Sequence, residues 1–205
     1  MGHRRTQAMA GCGPVIKYLG SKRRLVPVLG SLLQASGART ALDLFTGTTR
    51  VAQEFKRQGA LVTAVDQATY SEAFGRCWIE INADTFDHDG LADALQYLNG
   101  LPGRAGYFTE VFCIRSRYVQ PGNGERIDAI REAIERDYRG TDLYPVLLTS
   151  LVLAADRVDS TTGLQMAYLK TWSERSYKAL LLTTPTLISG SGRMMRPCSP
   201  AASRA

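Results

Sequence analysis

The stretch from Thr40 to Asp66 constrains the fold more than any other part of the chain. Thr40-Ala41-Leu42-Asp43-Leu44-Phe45 reads as a buried strand that breaks at Thr46-Gly47-Thr48-Thr49. A helix follows with Val51, Ala52 and Phe55 on one face, and Gly59 ends it. Leu61–Val65 is a second β-rich run that stops at Asp66. Strand, glycine turn, helix, strand is a βαβ unit, which predicts a parallel sheet in an α/β domain. Such a turn brings backbone N–H groups and a helix N-terminus up to a ligand. Asp66 lies 19 residues after Gly47, a spacing that suits a carboxylate accepting hydrogen bonds from ribose hydroxyls. Together the turn and the acid indicate an adenosine-containing cofactor at the carboxyl edge of the sheet. One glycine in place of three disfavours a dinucleotide, and no Gly-rich loop ending in Lys-Ser/Thr is present, which argues against a P-loop.

The rest of the chain surrounds this unit. Residues 1–14 read as a flexible leader. Ser21 is placed to cap a helix with Leu25, Val26, Leu29, Leu32 and Leu33 at helical spacing. A helix is expected over Tyr70–Asn82, another with Ile127, Ile130 and Ile134 on one face, and a long apolar one over Tyr144–Val158. Leu164–Trp172 suggests a short helix and Leu180–Ile188 a strand interrupted by Pro185. From Ser189 onward periodicity and bulky apolar residues give out, so 189–205 is expected to be a disordered tail.

Charge is unevenly placed along the 205 residues, whose formal net charge is +6. Arg4, Arg5, Lys17, Lys22, Arg23, Arg24 and Arg39 occur before residue 43 with no Asp or Glu among them, and 189–205 holds three arginines and no acid. A basic end of this kind fits a polyanion such as DNA, or simply a solvated face. The four cysteines are far apart and the two histidines are isolated, so no metal site is expected. No apolar run is long enough for a membrane span and no signal peptide is recognisable, so a cytoplasmic protein is expected.

Asp43-Leu44-Phe45-Thr46-Gly47-Thr48 resembles the D-L-F-S-G-T-G motif of S-adenosylmethionine-dependent methyltransferases. Lys17-Tyr18-Leu19-Gly20-Ser21-Lys22 resembles the K-(Y/W)-x-G-(S/G)-K motif that opens the Dam-like adenine-N6 DNA methyltransferases. Gly106-Tyr107-Phe108-Thr109-Glu110, the Arg126–Glu135 helix and Ala154-Ala155-Asp156-Arg157 are also similar to segments of that family, so the resemblance covers roughly Val15–Ile188. It implies a Rossmann-like α/β methyltransferase sheet with a helical DNA-recognition insert, the C-terminal part of the sheet missing. Residues 15–83 would be the S-adenosylmethionine-binding part, 84–178 the insert and 179–188 the return to the catalytic domain. Tyr18 would stack near the cofactor adenine and Lys22 would reach its polar end or a phosphate. Asp43 would approach its amino acid end, Phe45, Thr46, Gly47 and Thr48 would form the turn around it, and Asp66 would hold the ribose. DNA contact would come from Arg23, Arg24 and the Tyr107–Tyr118 segment, where Arg115 and Arg117, on a strand, would share a face.

Two departures from the family pattern stand out. Thr49 replaces a glycine, which would strain the turn if φ > 0 is needed there. No Asp/Asn/Ser-Pro-Pro-aromatic motif occurs among the 205 residues; in the family that motif holds the amino group of an adenine flipped out of the duplex. No catalytic residue is therefore assigned, and the tail reads as the truncated or frame-shifted end of a longer methyltransferase, with a natural short end as the alternative. Three readings follow: an adenine-specific DNA methyltransferase of the restriction–modification kind, incomplete alone and needing a complementing chain; a cofactor- or DNA-binding module without chemistry; and an unrelated α/β nucleotide-binding protein. A sheet deprived of its later strands would expose an inner strand as an edge and be prone to aggregate.

Overall fold

The structure is a computed structural model, and it describes residues 22–161 and 170–196. Tyr18, the leader, the expected capping Ser21 and most of the Leu164–Trp172 helix lie outside the described residues.

A short 3-10 turn over Lys22–Arg24 leads into α1 (Val26–Ser36). Pro27 lies in the first turn of α1, where its missing N–H costs nothing, and Gly37 closes the helix at φ 65°, donating its N–H to Gln34 O. Then come β1 (Thr40–Leu44), α2 (Arg50–Arg57) and β2 (Leu61–Val65), the βαβ unit expected from sequence. After α3 (Thr69–Gly75) and a π-helical turn over Arg76–Glu80, the chain builds a helical layer. That layer holds α4 (His88–Gly100), a second π-helical turn over Thr109–Arg115, α5 (Pro121–Tyr138) and α6 (Leu143–Val158). A last strand, β3 (Gly192–Met195), returns to the sheet.

The sheet has the order β1-β2-β3 with both pairings parallel. Ala41, Asp43, Val62, Ala64, Gly192 and Met194 share one face by register, and α2, α3 and the Arg76–Glu80 turn cover it. One continuous core joins this face to the helical layer, through Phe74, Cys77 and Ile79 to Ile130, Ile134, Val146 and Leu147. The opposite face carries Leu42, Leu44 and Leu61, which are 59%, 53% and 51% exposed, and Met195, which is 48% exposed. Parallel sheets ordinarily bury both faces, and among the described residues this face lacks the cover that is the rule.

Lys56 ties α2 to the end of the Arg76–Glu80 turn. Its side chain is fully buried, and Nζ donates to the carbonyls of Trp78 (3.2 Å), Ile79 (2.9 Å) and Ile81 (2.5 Å). Burial pushes its pKa down to about 8, against a smaller opposing effect of Cys77. At neutral pH the ammonium therefore keeps three donors for three carbonyls, at a helical end where the backbone dipoles favour a cation.

Four expectations are corrected. The tail does not lose order at Ser189: Gly192–Met195 pairs with β2. Gly192 permits this, since a Cβ there would stand 2.5 Å from Ile79 Cγ2 and 2.9 Å from the Val62 carbonyl. A four-residue edge strand leaves little periodicity to read. Leu180–Ile188 is extended but has no strand partner among the described residues. Side chains replace the neighbouring strand instead: Asn123 accepts from Leu180 N–H (3.0 Å) and donates to Lys178 O (2.9 Å). Asn99 accepts from Leu182 N–H (2.9 Å) and donates to its carbonyl (3.0 Å), and Ser150 does the same at Thr183. The expected helix over Tyr70–Asn82 changes to π-helical geometry after Gly75. Arg115 and Arg117 do not sit on a strand: Arg115 ends the second π-helical turn and Arg117 has φ 53°.

Candidate cofactor site

The site forms where β1 and β2 end. Thr46 N–H donates to Val65 O at 3.1 Å, which strings the turn after β1 onto the end of β2. Beneath the turn, Asp43 is buried. One of its oxygens accepts from Thr46 Oγ1 (2.8 Å) and from Ala52 N–H (3.2 Å) at the start of α2. The other faces Lys22 Nζ at 3.4 Å. The negative charge thus lies near a helix N-terminus and a cation, both of which stabilise it. Asp43 acts as the internal brace of the turn, and Lys22, from the preceding 3-10 turn, spends its charge on that brace while its own side chain stays about half exposed.

Asp66 closes the site from β2. Its Oδ2 accepts from Gly47 N–H at 2.8 Å and its Oδ1 from Ala68 N–H at 2.9 Å, while its own N–H donates to Met195 O of β3. Each carboxylate oxygen has a further lone pair beyond the one bond it accepts. Gly47 has φ 54°, and a Cβ built on it would meet nothing within 4 Å. The turn is therefore open outward at the residue that joins Asp66 to β1.

Three residues of this turn sit in the left-handed region: Phe45 (φ 57°), Gly47 and Thr49 (φ 58°). Only glycine adopts it without penalty, and strain of this kind collects where function needs it. Phe45 is 78% exposed, an aromatic face left to solvent above the strand end. Thr49 is fully buried; its N–H donates to Thr46 O (2.8 Å) and its Oγ1 accepts from Gln53 Nε2 (2.9 Å). The strain foreseen for the missing glycine is present, and the Gln53 bond offsets part of it. Thr48 is half-buried beside it.

Lys22, Asp43, Phe45, Thr46, Gly47, Thr48 and Asp66 are thus brought to one end of the sheet. Arg24, in the Lys22–Arg24 turn, is exposed, and Arg23 belongs to the same turn. Arg115 and Arg117 belong to the helical layer. Arg115 is committed to Glu110 by an ion pair of 2.9 Å, whereas Arg117 lies over the Trp172 ring, 5.3 Å from its centroid.

Sequence reasoning missed the group that orders the Gly106–Glu110 segment. Asp128 of α5 accepts from the N–H groups of Gly106 (2.9 Å), Phe108 (2.9 Å) and Thr109 (2.8 Å) and from Thr109 Oγ1 (2.7 Å). Burial raises its pKa, but the bonds from Thr109, Phe108 and Gly106 outweigh that and hold it below the usual 3.8. Its only sequence signal was a carboxylate on the inward side of a helix. Among the described residues no three or more His, Cys, Asp or Glu are grouped to hold a metal ion. Cys77 and Cys113 are free and buried, and burial pushes their thiols up to about 12 and about 11. Among the described residues no helix is long and apolar enough to cross a membrane.

The comparisons with known proteins agree with this geometry. The family profile of D12 class N6 adenine-specific DNA methyltransferases matches residues 18–194. The chain is 32% identical over 180 residues to the type II methyltransferase M.NlaIII of Neisseria lactamica, covering 82% of this chain and 53% of that protein. It is 29% identical over 193 residues to the modification methylase StsI of Streptococcus sanguinis, covering 86% of this chain and 29% of that one. To the type II methyltransferase M.CviAII of Paramecium bursaria Chlorella virus 1 it is 29% identical over 178 residues, 81% and 53% of the two chains. The chain spans about half the length of the first and third of these and under a third of the second. No solved structure matches it. A profile match that spans β1, the turn, Asp66 and most of β3 places this chain in the D12 class N6 adenine-specific DNA methyltransferase family.

Proposed function

We propose that the chain is the S-adenosylmethionine-binding and DNA-contacting part of an enzyme that methylates adenine N6 in DNA, and that it is inactive alone. The observation that carries this reading is the bracket of Gly47 between Asp43 below and Asp66 beside it. The residues fit the cofactor. Asp66 keeps one free lone pair on each oxygen for the two ribose hydroxyls, the open face of Gly47 gives the cofactor a path to the backbone, and exposed Phe45 offers an apolar surface beside them. Lys22 and Asp43 hold the turn in place and set the charge at its base. When bound, S-adenosylmethionine supplies an electrophilic methyl group on a sulfonium. Nothing among these residues would grip an adenine amino group, because no Asp/Asn/Ser-Pro-Pro-aromatic motif occurs in the sequence. Among the described residues, one sheet face without cover and a β1 edge without a partner strand fit a complementing α/β segment that brings that motif. DNA would meet the exposed basic groups Arg24 and Arg117, with Arg23 beside the former.

The absent motif also favours a second reading, a module that binds the cofactor or DNA without chemistry. Incubation of the pure chain with tritiated S-adenosylmethionine and mixed-sequence duplex DNA tests inactivity. No label in adenine is expected; N6-methyladenine formed by the chain alone would overturn the claim.

A further inference from the structure

We propose that Arg117, held on the Trp172 ring, reads a base edge in the target DNA, and that Trp172 is its positioning residue; this rests on the DNA-contacting role proposed above. The two arginines that alternate in the sequence separate in the structure. Arg115 Nε bonds Glu110 at 2.9 Å, so its charge is neutralised locally. Arg117 has no carboxylate partner among the described residues, and its guanidinium carbon lies over the Trp172 ring, 5.3 Å from the centroid. A guanidinium held over a ring by cation–π attraction loses less further freedom on binding, and that contact uses none of its N–H donors, which stay available to a planar acceptor pair. That is the geometry of bidentate contact to the O6 and N7 of guanine.

The backbone is built to present this group. Arg117 is one of three non-glycine residues with positive φ, at 53°, a conformation that costs an arginine energy and needs support. Support comes from three segments laced together. Tyr118 N–H donates to Phe112 O (2.8 Å), Ser160 N–H to Tyr118 O (2.7 Å) and Ser173 N–H to Ser160 Oγ (3.0 Å). Arg175 clamps the third segment through Asp159 O (2.6 Å), the Asp159 carboxylate (2.6 Å) and Thr161 O (3.0 Å). Residues 116–119 and 172–176 are thereby fixed against each other, which sets the ring under the guanidinium. Beside them lies an aromatic row, Tyr107, Phe108, Phe112 and Tyr118, linked by ring contacts of 4.9–6.3 Å. Its outermost member, Tyr107, is 75% exposed. A preorganised arginine without a carboxylate partner, beside the exposed Tyr107 ring, offers a planar fork and an aromatic face together, a combination that suits nucleic acid bases.

The test is selection of the full chain on a pool of randomised DNA duplexes, sequencing the bound fraction, with Arg117→Ala, Arg117→Lys, Arg115→Ala, Trp172→Ala and Trp172→Phe compared by circular dichroism for fold. The wild type is expected to enrich one base position that Arg117→Ala and Arg117→Lys flatten by about 10-fold or more. Arg115→Ala should keep it, Trp172→Ala should weaken it, and Trp172→Phe should restore most of it. Unchanged preference in Arg117→Ala overturns the proposal. So does a uniform loss across sequences with the salt slope reduced by about one, which marks a phosphate contact. Wild type that binds no DNA at all sinks the DNA-contacting role itself, and this assignment with it.

Discussion

Thr49 shows how much one residue can carry. It holds a left-handed conformation that suits glycine, and it is kept there by burial and by Gln53. Replacing it with alanine removes the Gln53 bond and leaves the strain, so Thr49→Ala should cost about 1–2 kcal/mol in urea unfolding. Thr49→Gly removes bond and strain together and should cost less. The reverse order would mean that the turn is not strained. At this scale much of the site was legible in the sequence. Asp43, Gly47 and Asp66 are set by strand ends and one turn, which local periodicity reveals. The pairing of Arg115 with Glu110 and the stacking of Arg117 on Trp172 were not legible. The first depends on a π-helical turn read as a strand, the second on a residue more than fifty positions away.

Among the elements, Asp128 does the work of a cap at a distance. It satisfies three N–H groups at the start of the Thr109–Arg115 turn from a neighbouring helix, with partners 19 to 22 residues away. Asp128→Ala should destabilise the chain by about 2–3 kcal/mol, since several buried donors lose their acceptor. The pH dependence follows from the sign of the shift. Its folded pKa lies below the unfolded 3.8, so its contribution is fully present above about pH 4 and fades as the pH falls through the lower folded value. Urea midpoints of wild type and Asp128→Asn measured from pH 7 to pH 3 should therefore converge toward the acid end; a constant gap would contradict it. The same lack of local signal hid β3 and the unpaired Leu180–Ile188 segment. Asn99 and Asn123 stand in for a strand there, and no periodicity in the segment marks that.

At the largest scale, the sheet face that no described element covers is the main departure from an ordinary α/β protein. Leu42, Leu44 and Leu61 lie on one face of the sheet, Leu61 opposite Thr40 and diagonal to Leu42, and all three are more than half exposed. Apolar surface of this kind and a free strand edge both drive association. Sedimentation of the chain should show concentration-dependent self-association that Leu42→Lys with Leu61→Lys suppresses without loss of helical signal. A monomer at every concentration would show that the face is covered in solution. The parallel α/β class and the βαβ unit were legible because strand and helix periods alternate cleanly from Thr40 to Val65. The bareness of one face was not, because Leu42 and Leu44 read as buried in any parallel sheet.

Cofactor binding at the turn between Asp43 and Asp66 is the property on which the proposed function of the chain depends. Calorimetric titration of the chain with S-adenosylmethionine, beside Asp66→Ala of matched circular dichroism, tests it most directly. One-site binding that the substitution abolishes or weakens by at least about 10-fold is expected, since the ribose would lose a charged acceptor. No heat from the folded wild type, or equal binding by both proteins, would contradict the assignment of this turn.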